Sequence, residues 1–236
     1  MWTCVPVRRR GRYCLAVMKL SVIIPALNAN HLLPAAVSRL RAEDVHEIII
    51  ADGGSSPPPS GLGDGVTVIT GTPGRGQQLH AGAAAATCDW LLFLHADTVL
   101  GKGWLEAVHG HASHHPDKAA VFRFVLDDPG AAARRLERVV ALRCRLLALP
   151  YGDQGLLVAR TLYDQIGGFR SIPLMEDVDI VRRIGRRRLV MLDVPAITSA
   201  ARYRREGYLR RMGRNLLCLS LFFAGVDPAR IRKIYA

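Results

Sequence analysis

The stretch "LLFLHADTVL", residues 91–100, decides how this chain is read. It begins as an unbroken apolar run and stops abruptly in His95, Ala96 and Asp97. A continuous apolar run of this length, bounded by polar residues, reads as a strand covered on both faces, which belongs to the sheet of an α/β protein. A rigid strand that leaves the core in a carboxylate delivers that carboxylate to the sheet edge, where it can hold a metal ion or meet a phosphate.

Upstream, strand-like and helix-like segments alternate. "KLSVIIPAL" is a β-branched strand ended by Pro25, and "HLLPAAVSRLRAED" has helical spacing. "HEIIIADGGSSPPPSGLGDG" is a second strand running into a loop too rich in Gly, Pro and Ser to be helical, and "VTVIT" is a third strand. "GRGQQLHAGAAAAT" is a Gly-rich turn opening an alanine-rich helix, after which "WLLFLHAD" is the fourth strand. The alternation predicts a mostly parallel sheet covered by helices. Downstream, "GWLEAVHGHASHH" reads as a helix, "AAVFRFVL" as a strand, "AAARRLERVVALRCRLLAL" as a long basic amphipathic helix and "GLLVAR" as a strand following the loop "PYGDQ". "PLMEDVDIVRRIGRRR" predicts a helix with Glu176, Asp177 and Asp179 in its first turn and arginines at its far end, matching the helix dipole at both ends.

The chain has 236 residues, half of them hydrophobic, enough for one substantial core. Lys and Arg outnumber Asp and Glu by 32 to 20, a formal net charge of +12, which favours an anionic partner: nucleic acid, acidic lipid or a phosphorylated small molecule. No nucleic-acid module or aromatic stacking platform is legible, and nucleic acid is not expected. Cys4, Cys14, Cys88, Cys144 and Cys218 are scattered without a C-x-x-C pair, so neither a disulfide framework nor a zinc knuckle is predicted and a reducing cytoplasm fits. Residues 1–17 are basic without a signal-peptide pattern and read as a disordered tail or an upstream start, since Met18 directly precedes the first strand. The expected domain runs over 18–225, with a helical extension over 226–236. "LLCLSLFFAGV", residues 216–226, is well short of the ~20 residues that span a bilayer. It reads as a C-terminal helix packed on the core with solvated arginines; a basic stretch leading into an apolar helix also fits peripheral contact with an anionic membrane.

Ligands of open α/β sheets bind beyond the carboxyl ends of the strands. Asn28, Asp52, Arg75 with Gln77, and His95 with Asp97 follow the first four strands in turn, and this clustering says more than any member; singly, Asp52 would be a turn residue and Arg75 a solvated charge. Asp97 suits Mg²⁺ or Mn²⁺, and His95 would either add an imidazole ligand, better for Mn²⁺, or hydrogen-bond a ribose or phosphate. The turn Gly74-Arg75-Gly76 offers a phosphate or base contact but lacks the P-loop ending. Glu176 and Asp177 are the candidates for a general base, because a neighbouring carboxylate and burial can raise a pKa; capping of the helix dipole alone is the competing reading. His109, His111, His114 and His115 read as a solvated helix end rather than a metal site.

With these residues in place, "SVIIPALN", "IIIADGGS", "GRGQQLHAGA", "LLFLHADT", "YGDQG", "GGF" and "LMEDVDIVRRI", in order, resemble the family 2 glycosyltransferases of the GT-A fold across nearly all of residues 19–225. The wording "HADT", "PYGDQG" and "PLMEDVD" is most similar to the subfamily called radical-SAM/selenodomain-associated transferase 2. The resemblance implies a Rossmann-like, mostly parallel sheet flanked by helices with further helices at the C-terminus, and an inverting, metal-assisted transfer of a sugar from a nucleotide donor to an acceptor hydroxyl. It implies that Pro25, Asn28, Asp52, Arg75, Gln77, Ala96 and Asp97 bind the nucleotide-sugar, with Asp52 at the base and Arg75 at base or phosphate. Asp97, with His95, would bind Mn²⁺ or Mg²⁺; Asp177, with Glu176 beside it, would be the base; Tyr151, Asp153, Gln154, Arg202 and Tyr203 would line the acceptor side. His95 stands where the family's D-x-D has aspartate, and Ala29 where a glutamate usually follows Pro-x-x-Asn. Two other readings remain at this point: a nucleotidyltransferase of similar architecture, and a non-catalytic anion- or nucleic-acid-binding protein.

Overall fold

The apolar run of residues 90–93 forms an inner strand of an eight-stranded sheet in the computed structural model, which describes residues 18–43 and 45–235. The tail expected over residues 1–17 lies outside the described residues. The first half of the chain builds β1 (Leu20–Ala26), α1 (Leu33–Arg41), β2 (Glu47–Asp52), β3 (Val66–Thr70), α2 (Arg75–Ala85) and β4 (Trp90–Phe93). β1 pairs in parallel with both β2 and β4, and β2 in parallel with β3. The second half adds β5 (Thr98–Leu100), α3 (Trp104–His114), β6 (Ala119–Leu126), α4 (Ala131–Leu147), β7 (Leu156–Ala159), α5 (Arg160–Gln165), α6 (Glu176–Ile184), β8 (Leu189–Thr198), α7 (Ala201–Glu206), α8 (Tyr208–Phe223) and α9 (Pro228–Tyr235). The strand order is β3-β2-β1-β4-β7-β6-β8-β5.

The sheet is α/β as expected but mixed: β7 runs antiparallel to both β4 and β6, β6 and β8 are parallel, and β5 is antiparallel to β8. Sequence reasoning missed two strands, the short β5 and the long β8. In β8 the cause is visible. Pro195 and Asp193 interrupt its apolar pattern, and it is only half-covered.

Two strand ends differ from expectation. β1 continues through Pro25, which pairs with Ala51, instead of stopping there. Residues 23 and 25 face the β4 side, since the Ile23 carbonyl accepts from the Leu94 N–H, and β4 has left the ladder before it reaches Pro25. The donor that proline lacks is therefore one the sheet does not need. β4 itself ends at Phe93 rather than at Asp97: a turn closed by Thr98 N–H on the His95 carbonyl, 3.1 Å, redirects the chain into β5. His95 to Asp97 thus sit in a break between two strands at the carboxyl edge of the sheet.

Both faces of the sheet are covered, which is why the strands read as continuous apolar runs. Ile24, Leu92 and Phe122 pack on one side against α1 and α3. Ile23, Leu91 and Phe93 pack on the other against α2, α5 and α6, with Cys218 and Leu219 of α8. Leu136, Val140 and Cys144 of α4 close a third cluster with Tyr203 and Tyr208. Cys88, Cys144 and Cys218 are buried free thiols. His111 corrects the reading of its segment as a solvated helix end: it is buried edge-on to Trp90, with Nε2 2.9 Å from the Lys118 carbonyl. Among the described residues no helix is long and apolar enough to cross a membrane.

Helix α2 approaches the sheet through Gly82, where an added Cβ would lie 2.4 Å from Ile23 Cγ2. Ile23 is fully buried and branched at Cβ, so it cannot swing aside. Overpacking should outweigh the gain in helix propensity. Gly82→Ala is expected to lower stability in urea denaturation by about 1–2 kcal/mol; an equal or higher midpoint would show that the helix can retreat.

Candidate active site

The carboxyl edge of the sheet carries two adjoining groups of polar residues. The first is built by the loops after β1 and β2. Asn28 adopts φ 53°, a conformation asparagine tolerates, and its Oδ1 accepts from Ser56 N–H while its own N–H donates to Ser55 Oγ. Asp52, only 1% exposed, accepts from Gly54 N–H, Ser55 N–H and Ser55 Oγ–H. These are the contacts of a turn residue, so Asp52 holds the loop that follows β2 and Asn28 staples that loop to the one after β1. Pro25 lies at the end of β1 in the same region, half-buried.

The second group surrounds an open cleft lined by Leu79, Phe93 and Phe169 together with Arg75, His95, Tyr151, Gly152, Glu176 and Asp177. Three segments distant in sequence converge here: the start of α2, the break after β4, and the turn 151–155 laid against the first turn of α6. Gly152 makes that approach possible. Its N–H donates to Asp177 Oδ2 at 2.8 Å, and an added Cβ would fall 2.8 Å from His95 Nε2 and 3.6 Å from Asp177 Oδ2. Helix α6 opens as expected with Glu176, Asp177 and Asp179 in its first turn, preceded by Met175 at φ 67°. Left-handed backbone at a methionine is uncommon and is tolerated where surrounding contacts demand it. Asp179 turns away to Arg170 and Arg183.

Charge is unevenly screened in this cleft. Glu176 is 4% exposed, with Oε1 3.6 Å from Arg75 Nε. Burial, then the neighbouring Asp177 charge, push its pKa up to about 7 against the opposing pull of Arg75. Burial likewise raises Asp153 to about 6, opposed by Arg143 and assisted by the carboxylates of Asp177 and Asp97; Asp153 Oδ1 is enclosed without a hydrogen-bond partner. His95 is held well below the ordinary histidine range by burial and by the Arg75 and Arg202 guanidiniums, so its imidazole is neutral at pH 7. Tyr151 lies under the Arg143 guanidinium, 3.5 Å from ring centroid to Cζ, and burial pushes its hydroxyl up to about 12. Arg202 is exposed on α7, with its charge felt at His95; Tyr203 stacks on Tyr208 with Arg211 over its ring, and the Asp153 charge is felt at its hydroxyl.

The structure therefore brings together Arg75, His95, Asp97, Tyr151, Asp153, Glu176 and Asp177, with Arg202 and Tyr203 at the side. Two glutamines stand apart from the cleft lining. Gln77 is exposed and accepts from Thr72 Oγ1, whereas Gln78 turns inward and donates to the Ala26 and Ala51 carbonyls, tying the ends of β1 and β2. Gln154 does not face the cleft: it is 1% exposed, donates to the Phe122 carbonyl and accepts from Cys144 Sγ. Arg143, unforeseen, reaches the site from α4, and nothing in its helical context marks it. Ala96 is half-buried in the turn beside Asp97.

Among the described residues no three His, Cys, Asp or Glu side chains converge as a closed metal cage. Mg²⁺ and Mn²⁺ do not require one, since they are commonly held by one or two carboxylates together with substrate phosphates. Asp97, partly exposed in the turn after β4 with its charge felt at Asp153, fits that mode.

A curled mixed sheet flanked by helices, with its polar cleft at the carboxyl edge, is the GT-A glycosyltransferase fold. Residues 21–174 match the sequence model for Glycosyl transferase family 2, and the chain belongs to that family. No curated protein matches it in sequence. Among solved structures it is similar to glucosyl-3-phosphoglycerate synthase from Mycobacterium tuberculosis, crystallised with Mn²⁺, uridine diphosphate and glucosyl-3-phosphoglycerate, at TM-score 0.60 and 18% identity over 94% of this chain and 88% of that one. It is also similar to mannosyl-3-phosphoglycerate synthase from Rubrobacter xylanophilus, at TM-score 0.58 and 16% identity over 88% and 75%. A third, GalNAc-T7 with UDP, GalNAc and Mn²⁺, gives TM-score 0.60 and 14% identity over 79% of this chain and 45% of that one.

Glu176 holds its proton more tightly in the folded chain than in the unfolded one, where the ordinary value is 4.5. Its contribution to stability is therefore complete below about pH 4.5 and lost as pH rises through about 7; Asp153 adds in the same direction up to about 6. The thermal midpoint should fall between about pH 4.5 and 7 and level off above that, and Glu176→Gln should flatten that decline. Parallel profiles for the two proteins would show that the proton resides elsewhere.

Proposed function

We propose that this chain transfers a sugar from a nucleoside-diphosphate donor to an acceptor hydroxyl with inversion at the sugar carbon, Asp177 serving as the general base. The observation that carries this reading is the Asp177 carboxylate itself: half-buried, fixed by the Gly152 N–H at 2.8 Å, and facing a cleft shared with Arg75 and a neutral His95. Backbone N–H groups of Gly152 and Val178 each occupy one lone pair on its oxygens and leave others for an incoming hydroxyl. Glu176 is buried behind it, and its partial protonation near pH 7 limits like-charge repulsion on Asp177.

Arg75 is assigned to the departing diphosphate, where a guanidinium stabilises developing negative charge. Asp97 would hold the divalent ion, Mn²⁺ or Mg²⁺, which when bound supplies further charge neutralisation at the diphosphate; the similar structures crystallised with Mn²⁺ and uridine diphosphate support this. His95 is assigned a neutral hydrogen-bonding role rather than that of a second ligand, because its Nε2 lies close against Gly152. Pro25, Asn28, Asp52 and Ala96 would form the nucleotide side. Tyr151, Asp153, Arg202 and Tyr203 would form the acceptor side. The subfamily placement rests on the wording "HADT", "PYGDQG" and "PLMEDVD" alone, and a cytoplasmic location on the buried free thiols.

A panel of sugar nucleotides scored by thermal shift tests donor binding, because a ligand of the native state must stabilise it. At least one should raise the midpoint, more so with Mn²⁺, and Asp97→Ala should erase the Mn²⁺-dependent part. Asp177→Asn should keep the donor shift while lowering transfer at least ~100-fold, with free nucleoside diphosphate as the product measured. Unchanged turnover in that variant would remove Asp177 as the base. Pyrophosphate release from a nucleoside triphosphate would identify a nucleotidyltransferase instead.

A further inference from the structure

Of the eleven large apolar side chains that are exposed among the described residues, nine lie on α4, α8 and α9. Their spacing is regular. On α4, Val139, Leu142 and Leu146 form a stripe at helical intervals, on the opposite side from Leu136, Val140 and Cys144, which enter the core. On α8, Leu209, Leu216 and Phe223 recur every seven residues along one outward line, Leu209 at 84% and Leu216 at 63% exposed, while Cys218 and Leu219 face inward. The two helices touch each other. Each therefore has one apolar side that the fold uses and another that it leaves uncovered, which is more than a helix merely packed on a core with solvated arginines would show.

The same elements are strongly basic. Arg135, Arg138 and Arg145 of α4, Arg186, Arg187 and Arg188, Arg210 of α8, and Arg230, Arg232 and Lys233 of α9 are exposed, whereas Arg143 turns to Tyr151, Arg211 and Arg214 pair with Glu206, and Glu137 is taken by Arg134 and the Leu126 N–H. Arg186 donates to the Arg145 and Leu146 carbonyls, which places the 186–188 run beside the leucine-rich end of α4. A second copy of the chain is a poor partner for such a face, because a two-fold contact would set arginines against arginines without carboxylates to answer them. Residues 1–17 carry four arginines and no acidic residue, and as a covering segment would be repelled in the same way. Nucleic acid would answer the arginines and leave the leucines in water. A bilayer rich in anionic headgroups answers both: leucines enter the acyl boundary while guanidiniums remain at the phosphates.

We propose that α4, α8 and α9 dock this protein onto the surface of a membrane containing anionic phospholipid, with Val139, Leu142, Leu146, Leu209, Leu216 and Phe223 as the inserting side chains. The helices lie along the surface and do not cross it. Gly207 alone separates α8 from α7, whose Arg202 and Tyr203 stand beside the cleft, so the docked face is continuous in the chain with one wall of the site. Docking is independent of the transfer reaction and is measured without donor or acceptor.

The test is co-sedimentation of the full chain with vesicles of phosphatidylcholine alone and of phosphatidylcholine containing about one third phosphatidylglycerol. The protein should bind the anionic vesicles, leave the neutral ones largely unbound, and dissociate as salt rises from about 0.1 to 0.5 M. Leu142→Glu with Leu216→Glu should reduce the bound fraction at least ~10-fold at an unchanged thermal midpoint, since both side chains are more than half exposed. Were that pair to disturb the fold, Leu209→Glu carries the same test at the most exposed of these positions. Absence of vesicle binding would overturn the proposal, as would binding that survives loss of the leucines. It would equally be overturned by a concentration-dependent dimer in sedimentation velocity that the leucine variants abolish, or by salt-sensitive RNA or DNA binding that the same variants leave intact.

Discussion

The contact on which this site depends is the close approach of the 151–155 turn to the first turn of α6, made by a single hydrogen bond from Gly152 to Asp177. That approach holds the carboxylate rigid, sets the His95 imidazole against the same glycine, and encloses Glu176 and Asp153 deeply enough to change their affinity for protons. A side chain at position 152 would meet two polar groups at once. Its absence converts three loops into one cleft.

Around that contact the sheet supplies rigidity in a graded way. The parallel half, β3-β2-β1-β4, ends in loops that are tied to one another by Asn28, Asp52 and Gln78, so the side proposed for the nucleotide is preformed and its polar groups are largely engaged. The mixed half brings the side proposed for the acceptor from elements that have no fixed order in a simple alternating fold: Arg143 from a helix, Tyr151 and Asp153 from a turn, Arg202 and Tyr203 from a short helix after β8. The exposed basic and apolar face belongs to that second half, on α4, α8 and α9.

Much of this was legible in the residues, and the exceptions have identifiable causes. The acidic start and basic end of α6 announced both the helix and its carboxylates, because the dipole acts within one turn. The break at His95 to Asp97 was visible as an abrupt polar ending, although the strand was placed four residues too long, since nothing local reveals where a neighbouring strand stops. Gln77 and Gln78 are about 100° apart around α2, and only the position of the sheet tells which of these adjacent glutamines turns inward. Gln154 is a like case: a three-residue turn points consecutive side chains in different directions. β8 escaped notice because its alternation is broken by Pro195 and Asp193, and Arg143 because an arginine on a basic helix looks like every other.

By itself the sequence determined the alternation of strands and helices, the order of polar loops at one sheet edge, the family to which those motifs belong, and the charge pattern of α6. These are properties of short windows, set by periodicity and by interactions within a turn or two. Only the tertiary structure decided which of two adjacent glutamines turns into the fold, how tightly Glu176 and Asp153 hold their protons, and that the leucines of α4 and α8 are left uncovered. Those are consequences of burial and of charge proximity, and both depend on residues that meet across the fold and are separated along the chain.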